Sequence, residues 1–226
     1  MYQPTEYPLI RNFIYDWTYT KSMATSKRKH RHGIYRFYAP FYDRVFAPSF
    51  SDGHSKLYSS LVLEKNDHIL EVGIGTGISL THCPGFVRVD AIDYSEAMLV
   101  KARKRFQKGE ISAQVEFTKM DAHSLEFEDN AFEHSIVAHA LAVVAEPKEV
   151  LKEMIRVTQR GGKIVIVNHY KKNGGPLISM FNPFRKRLGL GMHVDFIKLI
   201  EDCGLDVLEE MRVNRGSTSL LVCEIP

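Results

Sequence analysis

The chain has no run of about 18 apolar residues, so no segment reads as a membrane-spanning helix. Met1 to Ile10 lacks a positive region followed by an apolar core, so no signal peptide is expected. Cysteine is scarce: Cys83, Cys203 and Cys223 stand apart and never form C-x-x-C, which fits free thiols in a cytosolic protein. There are no internal repeats and no low-complexity tracts. What remains is an ordinary soluble composition, 44% hydrophobic and 25% charged, in 226 residues. That length suits one well-filled α/β domain with a modest appendage.

The net charge of +3 hides an asymmetry. Residues 1–60 hold nine Lys/Arg against four Asp/Glu, a net +5, which leaves −2 for the rest. A second basic cluster, Lys171-Lys172 and Arg185-Lys186-Arg187, lies in a stretch without acidic residues. Such patches point to a polyanion, either nucleic acid or an anionic membrane surface.

The stretch with chemistry in it is Glu71-Val72-Gly73-Ile74-Gly75-Thr76-Gly77, approached through the apolar run His68-Ile69-Leu70. Three alternate glycines after an apolar strand predict a strand-to-loop-to-helix turn whose backbone must come close to a ligand. Downstream, near the expected spacing of roughly 20 residues, Asp93 closes the run Val89-Asp90-Ala91-Ile92. A carboxylate at the end of a second strand can hold a ribose diol. The pattern is G-x-G-x-G rather than G-x-G-x-x-G, and the preceding Glu71 repels a pyrophosphate but suits a cationic ligand.

The rest of the chain alternates. A helix is expected over Ser51–Glu64, and Ile78–His82 opens a crossover helix that Pro84-Gly85 ends. Ser95 is a candidate N-cap for a helix to about Phe106. Gln114–Met120 and His134–Ala140 read as the third and fourth strands, and Pro147–Val157 as a helix. Arg160-Gly161-Gly162 reads as a turn before a fifth strand, Lys163–Asn168. A helix around His193–Cys203 and strands near Leu205–Val213 and Ser219–Glu224 complete the pattern. This is a doubly wound α/β arrangement, a seven-stranded mostly parallel sheet with an antiparallel hairpin at the C-terminal edge.

Two segments fall outside that alternation. Residues 1–50 begin without readable chemistry, although Ile10, Phe13, Ile14 and Trp17 have helical spacing. They continue with Lys27-Arg28-Lys29-His30-Arg31-His32, then place Ile34, Phe37, Tyr38, Phe41 and Val45 on one helical face that Pro40 kinks. That composition fits a helix packed on the core with a solvated basic flank, or an interfacial membrane helix. Residues 170–192 are too long for an ordinary connection and are expected to form an inserted substrate lid on the main domain, 51–226.

The glycine motif with its leading acid resembles the first motif of the class I S-adenosylmethionine-dependent methyltransferases. The resemblance implies that Gly73, Gly75 and Gly77 approach the methionine part of the cofactor, with Glu71 beside them, and that Asp93 takes the ribose hydroxyls. It further implies that Tyr94 and Met98 pack on the adenine, that Asp121, followed by Ala122, receives its amino group, and that Ala138-His139-Ala140 lies beside the sulfonium. The strand-four ending lacks the acid-or-Asn, Pro-Pro-aromatic signature of base-modifying enzymes, and the clustered carboxylates of metal-dependent catechol enzymes are missing too. Neither nucleic acid nor a metal is therefore expected.

Within that superfamily, Arg36-Phe37-Tyr38-Ala39-Pro40-Phe41-Tyr42-Asp43, Met120-Asp121-Ala122 and the Asn168-His169 pair ending Gly161–His169 resemble the bacterial peripheral phosphatidylethanolamine N-methyltransferases. The tyrosine segment and glycine motif are shared with the ubiquinone/menaquinone C-methyltransferases, which remain the alternative. A module that binds the cofactor without chemistry and an RNA methyltransferase are further alternatives. The lipid-enzyme resemblance implies successive methylation towards phosphatidylcholine by a monomer, cytoplasmic and peripheral on the inner face of the membrane. It also favours the interfacial membrane helix over the packed one within residues 1–50. An ammonium acceptor must lose a proton before it attacks, and His139 and His169, at adjacent strand ends, are placed either to take it or to hydrogen-bond the headgroup or neighbouring backbone. Tyr35, Tyr38 and Tyr42 become an aromatic wall for methylated ammonium, Tyr38 and Tyr42 with the alternative of closing over the cofactor. Arg185, Lys186 and Arg187 become phosphate ligands.

Overall fold

The computed structural model describes residues 52–169, 195–216 and 218–226. A helix, α1, runs through 52–59. Then follow β1 (His68–Val72), a 3-10 turn (Ser79–His82), β2 (Arg88–Asp93), α2 (Glu96–Gln107), β3 (Gln114–Lys119), β4 (Phe132–Ala138), α3 (Pro147–Val157), β5 (Thr158–His169), α4 (Phe196–Glu201), β6 (Val207–Val213) and β7 (Thr218–Glu224). The seven strands form one sheet in the order β3-β2-β1-β4-β5-β7-β6. All neighbouring pairs are parallel except β5–β7 and β6–β7.

The burial of each strand follows its place in the sheet. Four of the five residues of β1 are buried, as a central parallel strand covered on both faces requires. The edge strands β3 and β6 are mostly half-buried or exposed, and their charged side chains discourage further pairing. Along β5 the side chains alternate between two cores. Ile164 and Ile166 join Val150, Leu151 and Met154 of α3 and Leu199 of α4, whereas Val165 and Val167 join Leu57 and Tyr58 of α1 and Leu99 of α2. Helices therefore cover both faces, as the alternating pattern predicts.

Helix α1 ends at 59, short of the expected Glu64, and three further boundaries differ from expectation, each for a local reason. The crossover from β1 to β2 holds only the 3-10 turn, because the connection reaches Pro84 too soon for a full helix. Strand β4 stops at Ala138, and His139 takes a left-handed backbone (φ 60°) that ends the pleat. Arg160-Gly161-Gly162 is no separate turn: β5 runs through it, with Gly161 at φ 76° beside a register shift between Phe132 and His134 of β4. Ser95 does occupy the N-cap of α2, yet its side chain makes no capping bond.

Candidate active site

Sheet order reverses direction at β1, with β2 on one side and β4 on the other, and ligands of open α/β sheets bind outside the carboxyl ends at such a point. The glycine loop leaves β1 there. The Ile92 carbonyl accepts from Gly73 N (2.8 Å) and Ile74 N (3.1 Å), which ties the loop to the end of β2. Gly73, Gly75 and Gly77 have φ of 70°, 57° and 77°, which side chains rarely adopt. A Cβ on Gly73 would come to 2.5 Å from that of Ala140, and one on Gly77 to 3.0 Å from that of Ala102. At Gly75 it would meet nothing within 4 Å, so the middle of the loop faces open space.

Asp93 closes that space from the β2 side. Its Oδ2 accepts from Gly75 N at 2.8 Å and its Oδ1 from Ser95 N at 2.7 Å, which fixes the carboxylate plane between loop and helix. Burial raises its pKa while the two backbone N–H bonds oppose the rise. Tyr94 beside it is exposed, and Met98, one turn into α2, is buried. At the end of β3, Asp121 Oδ1 accepts from the His123 backbone at 3.0 Å and lies 2.6 Å from His123 Nδ1. Ala122 packs against the α3-side core. The chain thus places an open glycine backbone, a fixed carboxylate, an exposed ring and a second acid along successive strand ends, and this donor set fits an adenosyl group with a charged tail.

Glu71 is 1% exposed, and its Oε2 accepts the Tyr58 hydroxyl at 2.6 Å. Burial raises the Glu71 pKa against the opposing hydroxyls of Ser79 and Tyr58. The Cys83 thiol beside them is pushed up to about 12 by burial and by the Glu71 charge. Glu71 therefore braces the base of the loop through α1. Tyr58 was not legible in the sequence, since a lone tyrosine in a helix of mixed composition has no spacing to mark it.

The acceptor side lies beyond β4. His139 N donates to the Val167 carbonyl of β5 at 2.6 Å, and its ring meets that of His54 edge-on at a centroid distance of 5.8 Å. Burial and then the His82 charge lower the His54 pKa to about 4, so this imidazole stays neutral. His54, on α1, is a site neighbour that sequence reading missed. Asn168 follows Val167 and is 3% exposed. His169 ends β5 opposite Thr218, with its side chain outside the described residues. Tyr35, Tyr38, Tyr42, Arg185, Lys186 and Arg187 also lie outside them, as do segment 1–50 and the lid at 170–192. Among the described residues, no three His, Cys, Asp or Glu side chains are grouped to hold a metal, and no helix is long and apolar enough to cross a membrane.

Known proteins resemble this chain. The profile of a methyltransferase domain matches residues 70–166. A phosphatidylethanolamine N-methyltransferase of Cereibacter sphaeroides is 36% identical over 155 residues, 67% of this chain and 76% of that one. A demethylmenaquinone methyltransferase of Renibacterium salmoninarum is 31% identical over 155 residues, 66% of this chain and 62% of that one. The crystal structure of a SAM-dependent methyltransferase from Aquifex aeolicus superposes with a TM-score of 0.64 at 19% identity, covering 83% of this chain and 97% of that one. Motif, strand order and relatives agree: the chain belongs to the class I S-adenosylmethionine-dependent methyltransferases.

Proposed function

We propose that this methyltransferase acts on the amine of phosphatidylethanolamine and of its mono- and dimethyl derivatives, towards phosphatidylcholine, at an anionic membrane surface. The observation that carries this reading is the 36% identity to the Cereibacter sphaeroides enzyme over three-quarters of that enzyme's length. The cofactor supplies a methyl group on a positively charged sulfur, open to in-line attack. The chain's task is then to orient the acceptor and remove its proton, because an ammonium has no lone pair to attack with.

His139 and His169, at the carboxyl ends of adjacent strands, are the proposed proton acceptors. His139 meets the ring of His54 edge-on, which sets a second imidazole beside the proposed acceptor site. Asp93 holds the ribose and Asp121 the adenine amino group, with Tyr94 and Met98 around the ring. Tyr35, Tyr38 and Tyr42 wall the methylated ammonium, Arg185, Lys186 and Arg187 take the phosphate, and residues 1–50 dock on the bilayer. The second reading is C-methylation of a quinone precursor, favoured by the 31% identity to the Renibacterium enzyme.

Purified protein, labelled S-adenosylmethionine and anionic vesicles containing phosphatidylethanolamine separate the two. Label in mono-, di- or trimethylated phospholipid is expected. Cofactor binding without lipid label, together with label in a demethylquinone offered in the same vesicles, would replace this reading with the second.

A further inference from the structure

At the carboxyl end of β5, Asn168 is 3% exposed, and among the described residues neither its Oδ1 nor its Nδ2 has a hydrogen-bond partner. A buried amide with both ends unmet costs on the order of 1–3 kcal/mol per group. Native structures leave few such groups, and those left call for a specific cause. The flanking positions show what stability alone selects here: Val165, Ile166 and Val167 are all fully buried apolar residues. Asn168 departs from that run where the sheet ends. Its neighbour Val167 accepts from the backbone of His139, so residue 168 stands at the carboxyl end of β5 beside that of β4, where open α/β sheets bind ligands.

We propose that the Asn168 amide binds the acceptor's aminoethyl group, Oδ1 taking an N–H of the amine and Nδ2 donating to the ester oxygen two carbons away. This rests on the amine reading above. An amide has a donor and an acceptor side by side, which matches the nitrogen and oxygen of a folded aminoethyl ester. Neutral throughout, Asn168 takes no proton. Its bond fixes the direction of the remaining nitrogen lone pair. In the transfer, that pair forms the nitrogen–carbon bond, and the carbon–sulfur bond breaks with its electrons left on sulfur. The ammonium proton has already gone to a base.

The chemistry has an internal control. After losing its ammonium proton, a primary amine keeps two N–H bonds and a secondary amine keeps one. A tertiary amine keeps none. Asn168 Oδ1 therefore serves the first and second methylations and has nothing to hold in the third.

The test uses the full chain and its Asn168→Leu variant on matched anionic vesicles holding phosphatidylethanolamine, its monomethyl derivative or its dimethyl derivative. Cofactor affinity by calorimetry should change by less than about twofold, and the thermal midpoint should hold or rise, since an unpaired polar group has been removed. Rates on the first two acceptors should fall about tenfold or more beyond the fall on the dimethyl acceptor, the worth of one hydrogen bond at a reacting centre, because the dimethyl acceptor loses only the Nδ2 bond to its ester oxygen. Asn168→Val, which matches the neighbouring strand positions, should give the same selectivity if leucine proves too bulky to fold. An equal loss on all three acceptors, no loss on any, or a lowered midpoint with lost cofactor affinity would overturn the proposal. Wild-type protein that methylates none of the three overturns the amine reading itself. An active wild type with an unselective variant overturns only the role of Asn168.

Discussion

Gly73, Gly75 and Gly77 share a left-handed backbone but differ in surroundings, so the same substitution has different consequences at each. Gly75→Ala has room for its methyl group, and its stability cost is the backbone strain alone, about 1–2 kcal/mol. That methyl projects into the space a ligand would use, so cofactor affinity should fall at least about tenfold, the effect of close backbone approach being lost. Gly73→Ala adds a 2.5 Å clash with Ala140 to the same strain, so its thermal midpoint should drop well below that of Gly75→Ala. Equal midpoints would contradict the packing argument. Asp93→Ala removes the carboxylate and with it the bonds it accepts from the backbone N–H groups of Gly75 and Ser95. Calorimetry should detect no cofactor binding by this variant, and an unchanged affinity would remove Asp93 from the site. Sequence spacing marked these residues because glycine and a strand-end acid each have one strong local reason to be there. The left-handed φ of His139 and the unmet amide of Asn168 had no such marker, since both arise from how neighbouring strands end.

At the level of elements, α1 links the site to the rest of the fold. Tyr58 reaches Glu71 of β1, His54 meets His139 after β4, and Gly53 N donates to Asn214 Oδ1 near the β6–β7 turn at 2.9 Å. The sheet and its helices were legible because strands covered on both faces read as short continuous apolar runs, whereas the helices keep a 3.6-residue period. What α1 touches was not legible, because tertiary partners leave no trace in local periodicity. The hydroxyl removed by Tyr58→Phe leaves the buried Glu71 carboxyl one donor short, so unfolding free energy should fall by about 1–3 kcal/mol in denaturant titration. His54 gives a pH signature. Its folded pKa of about 4 lies below the usual 6.5, so the unfolded chain takes up the proton first as pH falls. The stabilising effect of keeping His54 neutral is complete above pH 6.5 and is lost between 6.5 and 4, at most about 3 kcal/mol. Thermal midpoints across that window should fall more steeply for wild type than for His54→Leu. Parallel slopes would mean that His54 is solvated.

For the whole molecule, the proposed phospholipid acceptor makes the charge distribution the feature to test. The sheet and its helices account for the methyl donor's site, whereas the proposed bilayer acceptor would require that the strand ends be brought to a surface. The excess positive charge lies in residues 1–60, outside most of the catalytic fold. Lys27, Arg28, Lys29 and Arg31 precede the aromatic stretch Ile34–Val45, so basic residues near the headgroups and apolar ones at the acyl boundary would act together. Each basic residue near an anionic leaflet contributes about 1 kcal/mol. Replacing these four with glutamate should therefore weaken partition onto anionic vesicles by about a hundredfold or more, while cofactor affinity in free solution stays the same. Added salt should release the wild type in the same direction, since exposed charges are screened beyond roughly 10 Å at 0.1 M. Neutral vesicles separate the two contributions, because the aromatic stretch alone should still bind them weakly and equally in both proteins. Equal co-sedimentation of the two proteins with anionic vesicles would instead place the docking charge elsewhere, with the basic cluster at Lys171-Lys172 and Arg185-Lys186-Arg187 next to be reversed.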